Sequence, residues 1–228
     1  MDMNKWFLSI VAGLTLAGAV LIPSTALAGS VAGPCMPAGL GFSSTSSPSV
    51  GSPVFHISTA GLSAGADYFT FDPTTLSGTE VTVCAISPAR QPSVAMVTIT
   101  QFVKGQPMPS LLAFGSAQLS PGAFTIDRQL TSAVLNAPTI PMFDKISGAQ
   151  FDVAVSLAWS GTGTAVHSLS ISHTIGQGFT FIGHSISDER AANASGSVAS
   201  STTIFATGSA SLANLDSARS GEVDIFRN

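Results

Sequence analysis

Few residue groupings in this chain suggest a reaction, and Gly61-Leu62-Ser63-Ala64-Gly65 is the first stretch to test. It has the G-x-S-x-G form in which serine hydrolases hold a nucleophile on a sharp strand-to-helix turn. Val54 to Thr59 reads as the strand before it. The next residues, Ala66-Asp67-Tyr68-Phe69-Thr70-Phe71-Asp72, favour a second strand, because aromatic and β-branched residues suit extended backbone. The parallel sheet with crossover helices that carries such an elbow is missing. In a chain this rich in serine and glycine the motif also arises readily by chance. Asp72 or Asp152 with His167 completes a triad on paper, but order along the chain is not geometry. Ser63 is therefore read as part of a hairpin turn.

Metal chemistry needs three or four converging ligands. The four histidines are His56, His167, His173 and His184. His167 and His173 are six residues apart on one strand, about 20 Å, and cannot share an ion. A two-residue turn at Gly176-Gln177 pairs His184 with Leu169 and puts it diagonal to His167, roughly 7–8 Å away. No third ligand is evident, so the histidines are read as strand-rim residues. Paired carboxylates for glycoside hydrolysis must flank a scissile bond. Here the acids are scattered, and Asp188-Glu189-Arg190 reads as a solvated turn. Tyr68 and Trp159 are too few aromatics for a sugar platform, and Trp159 falls on an apolar strand face. No catalytic, cofactor-binding or metal-binding residue is assigned, and no cofactor is expected.

Any site in this chain would have to be built on strands. In Phe151 to Trp159 the odd positions are Phe151, Val153, Val155, Leu157 and Trp159, and the even ones are Asp152, Ala154, Ser156 and Ala158. Alternation of this kind gives one greasy face and one small or polar face. Ala165 to Thr174 repeats the pattern, and Gly176-Gln177-Gly178 turns it into Phe179 to Ile186 as a hairpin. Further strands are expected at 54–59, 67–72, 80–86, 94–103, 202–212 and 222–226. Thr131 to Asn136 and Ser211 to Ser217 could each form a helical turn or two, and Asn136 to Pro141 could separate two sub-sheets. Many short strands between Gly and Pro breakers indicate an all-β fold, an antiparallel β-sandwich of jelly-roll or two-sheet type with little helix.

The ends and the composition place the chain. Lys5, the apolar run Trp6 to Ile22 and Ala26-Leu27-Ala28 read as a signal peptide, residues 1–28, cleaved after Ala28. Residues 29–53 form a Gly/Ser/Pro-rich extended leader, and residues 54–228 a single β-sandwich domain. Nothing after residue 28 is apolar for long enough to span a bilayer, and an outer-membrane barrel would need aromatic girdles that are absent. Asn193-Ala194-Ser195 is a formal glycosylation sequon. In an exported chain Cys35 and Cys84 are expected to form a disulfide, worth about 4 kcal/mol for a loop of about 50 residues. Charged residues are only 9% of the chain and form no basic stripe, which excludes a nucleic-acid partner. Weak charge instead favours self-association or a cell-surface or matrix partner. The resulting expectation is an exported non-enzymatic protein, secreted or on the cell surface, with a structural, adhesive or surface-assembly role. The alternative is a secreted hydrolase using Ser63 or a histidine-centred metal.

Overall fold

The computed structural model describes residues 43–45, 55–58 and 60–227, apart from 90, 107, 177 and 178. The chain divides into two units, Met1–Ala32 and Gly33–Asn228, and every described residue belongs to the second. The expected signal peptide, its cleavage site, most of the leader and Cys35 lie outside the described residues.

The described chain is all-β and antiparallel. Its strands are β1 (Ser43–Thr45), β2 (Phe55–Ser58), β3 (Ala60–Asp72), β4 (Ser77–Pro88), β5 (Val94–Val103), β6 (Ser110–Gln118), β7 (Phe124–Ile126), β8 (Ser132–Asp144), β9 (Gln150–Gly161), β10 (Val166–Gly176), β11 (Phe179–Ala199), β12 (Ile204–Ser209) and β13 (Leu212–Arg227). Pairing runs β3–β4–β5–β6–β8–β9–β11, and β13 joins β11 back to β3, so the sheet closes on itself. β11 makes this possible by its length. Its first part, residues 179–191, pairs with β13, while residues 192–199 pair with β9. Beyond the ring, β10 lies on the outer edge of β11, and β2 and then β1 continue from β13.

Strands all round the closed sheet contribute side chains to one apolar core. β9 shows why these residues form a strand. Val153, Val155, Leu157 and Trp159 are buried, while Gln150, Asp152, Ala154, Ser156, Ala158 and Ser160 are exposed. Fully burying each large apolar side chain stabilises by about 1.5–3 kcal/mol. Trp159 also crosses the core, its Nε1 donating to the Gly65 carbonyl of β3 at 2.8 Å. β8 alternates in the same way except between Ala137 and Ile140, where its register shifts around Pro138-Thr139. Proline has no N–H to give to a ladder, so the strand bulges there.

Several local expectations change. Gly61 to Gly65 is not a turn, because β3 runs unbroken from Ala60 to Asp72 and pairs along its length with β4. Asp188-Glu189-Arg190 lies inside β11 rather than in a solvated turn. Thr131 to Asn136 and Ser211 to Ser217 are mostly strand, β8 and β13, because both complete ladders that outweigh weak local helix signals. Asn136 to Pro141 is the β8 bulge and separates no sub-sheets. The β10–β11 hairpin exists, but Gly176 pairs with Phe179, so His184 faces Ile171 and Leu169 faces Ile186.

Candidate functional site

Strand order brings together a polar group that no local motif announces. Glu189 on β11, Asp216 on β13 and Ser63 on β3 are successive register partners across three strands. Asn214 sits two residues before Asp216, hence on the same face. Its Nδ2 donates to Asp216 Oδ2 at 2.5 Å. Ser63 is fully buried, Asn214 is 1% exposed and Asp216 is 7% exposed. Ser63 Oγ lies beside the Asp216 carboxyl without a well-formed hydrogen bond to it. Ser63 Oγ, Glu189 Oε1 and Asn214 Oδ1 are all buried without a hydrogen-bond partner.

Burial penalises the charged form of a carboxyl, and a neighbouring carboxylate adds to the penalty. The Asp216 carboxyl is pushed up to about 7, first by burial and then by Glu189, with Asn214 and Ser63 pulling the other way. Burial raises Glu189 as well. The Glu189 carboxylate, its register partner, therefore makes ionisation of Asp216 harder still. Farther along β3, Asp67 is raised by burial and by Glu80, against a hydrogen bond from Thr82. The Tyr68 hydroxyl is buried without a partner, and burial raises its pKa.

Ser63 therefore sits deep in a sheet, on unstrained strand backbone, with carboxyl and aliphatic side chains as register neighbours. Neither adjacent strand places a histidine within two residues of its register partner. Asp72 and Asp152, the other members of the paper triad, do not join it. Asp72 accepts hydrogen bonds from Thr74 and Thr75 in its own turn, which lowers its pKa. Asp152 is exposed on β9.

His167 does find a carboxylate. Its Nδ1 is 2.7 Å from Asp188 Oδ1, and Ser217 Oγ donates to Asp188 Oδ2 at 3.3 Å. The order is serine, carboxylate, histidine. A nucleophile needs the imidazole next to the hydroxyl, so this row lacks the geometry for activating Ser217. His173 lies opposite Ile182, and His56 lies opposite Asp224 on the other side of β13. Among the described residues, no three His, Cys, Asp or Glu side chains converge on a metal position. Asp127 and Asp144 are loop anchors whose carboxylates accept from neighbouring amides and hydroxyls, which lowers their pKa values. Asp144 also lines an open cleft of about 750 Å³ with Pro138, Phe151, Asp152, Thr202 and Phe205.

Cys84 lies on β4, 6% exposed, between Gly65 of β3 and Met96 of β5. Its expected partner, Cys35, is outside the described residues. Asp216 is hidden from a local reading because 211–217 carries a weak helical signal, and Glu189 because 188–190 reads as a solvated turn. On a strand, Asn214 and Asp216 alternate with Ala213 and Leu215, and their shared face is legible. No protein-family model, curated protein or solved structure matches this chain.

Proposed function

We propose that this protein is exported and acts by contact, in a structural, adhesive or surface-assembly role without catalysis. The observation that carries the reading is the edge strand β10. It pairs with β11 at all eleven of its positions and ends the strand order, so its other edge has no partner among the described residues. Val166, Leu169 and Ile171 are 61%, 60% and 62% exposed. Natural edges are usually blunted by lysine, proline, bulges or inward charges. Val166–Gly176 contains no Lys, Arg, Asp, Glu or Pro, and its pairing with β11 has no bulge. An edge of this kind accepts another strand through backbone hydrogen bonds. The exposed row of β9 is polar or small and its buried row apolar, which favours water over lipid around that strand.

Sedimentation of the mature protein over a wide concentration range tests the reading. Wild type should self-associate, and Ile171→Lys should stay monomeric with an unchanged melting temperature, since the side chain is largely exposed. A wild type that is monomeric throughout, or a variant that associates equally well, removes β10 as the contact. A fluorophosphonate probe addresses the hydrolase alternative. Labelling at Ser63 that disappears in Ser63→Ala would overturn the non-enzymatic reading.

A further inference from the structure

We infer that Glu189, Asp216, Asn214 and Ser63 form a binding site for one hard divalent cation, calcium by its ligand chemistry. Register fixes their arrangement. Glu189 pairs with Asp216, Asp216 pairs with Ser63, and Asn214 shares the face from two residues away. The rows on either side are made of small residues. Ala191 and Gly65 flank Asn214, while Ser187, Ala218 and Gly61 form the row beyond Asp216.

The second observation is the set of orphaned oxygens. Asn214 spends its Nδ2 on Asp216 Oδ2, at 2.5 Å. That leaves Asn214 Oδ1 and Glu189 Oε1 buried and without a partner, with the Ser63 hydroxyl beside the Asp216 carboxyl. Buried acceptors without donors are costly, and native structures leave few of them. No position in these three rows is Lys or Arg on β11, β13 or β3. Arg190, next in sequence to Glu189, reaches the Gly163 and Gln129 carbonyls instead. A cation satisfies all four groups together.

Donor chemistry selects the ion. Two carboxylates, an amide carbonyl and a hydroxyl are all hard oxygen ligands, the set that calcium accepts in flexible geometry with water completing the shell. Magnesium demands a stricter octahedron, and zinc prefers nitrogen and sulfur. This site does not depend on the β10 edge.

Calcium chloride and chelator melts of the mature protein, with calorimetric titration of calcium, test the inference. An extracellular site with Kd of about 10⁻⁴ M should raise the wild-type melting temperature by about 5–10 °C at ~10 mM calcium. Asp216→Asn and Glu189→Gln should each melt cooperatively in chelator yet lose the calcium shift. Ser63→Ala should bind about tenfold more weakly, and Asp152→Asn, on the exposed row of β9, should keep the full shift. No calcium shift in wild type, or a full shift in Asp216→Asn or Glu189→Gln, would overturn the site.

Discussion

Gly196 offers a direct test of how tightly the closed sheet is built. It lies on β11 opposite Leu157 of β9, with φ at +151°. A Cβ there would run into the Ser156 carbonyl oxygen and would sit 2.8 Å from Leu157 Cδ2 and 2.9 Å from Leu157 Cα. Two of these three atoms are backbone in a paired strand, so relief requires moving β9. Two costs add in Gly196→Ala. Sparsely populated backbone costs about 1–3 kcal/mol, and overpacking about 1–3 kcal/mol. The total, about 2–6 kcal/mol, is a large share of the roughly 5–15 kcal/mol that holds a typical domain. Two other glycines separate the terms. Gly122 has φ of +83° and open space around its Cβ, so Gly122→Ala should cost only about 1–2 kcal/mol in backbone strain. Gly115 has no positive φ, but its Cβ would run into the Pro141 carbonyl oxygen, so Gly115→Ala reports the steric term. Urea unfolding should rank the losses Gly196→Ala, then Gly115→Ala, then Gly122→Ala. A Gly196→Ala variant within about 1 kcal/mol of wild type would refute backbone contact between the strands at this point.

Other measurements bear on the site and on the ends of the chain. In chelating buffer Asp216 binds its proton up to about pH 7 when folded, well above an unfolded aspartate, so it contributes stability below about pH 4 that is lost as pH rises through 7. The interval between an ordinary aspartate and that value corresponds to on the order of 4 kcal/mol. Asp216→Asn should therefore gain stability relative to wild type between pH 5 and 8, and a pH-independent difference would remove the buried-acid account. Trp159→Phe, which loses the bond to the Gly65 carbonyl, should cost about 1–3 kcal/mol, and an unchanged urea midpoint would show the bond to be worthless. Non-reducing peptide mapping should recover Cys35 joined to Cys84, and free thiols in native protein would end that expectation. Intact mass of exported protein should begin at Gly29; a mass that includes residues 1–28 would show that cleavage does not occur.

The all-β class is legible in the amino-acid order alone, because period-two alternation is a local property. Phe151 to Trp159 announces β9 and its buried face, and the Gly-rich break before Phe179 announces the β10–β11 hairpin. Where glycine means a turn is a different matter, settled by long-range pairing. Gly61 and Gly65 lie within a 13-residue strand because β4 and β13 pair on either side of it, and the Gly65 carbonyl receives the Trp159 N–H. Strand preference depends on such neighbours, and no window around Ser63 contains them. The same holds for the acids. Glu189, Asp216 and Ser63 meet through two ladders between segments far apart in the chain, and a slip of one residue in either would turn one side chain to the opposite face. Register is set by the burial of Ala64, Ala66, Ala213 and Leu215 in the common core, a decision made by the packed sheet as a whole.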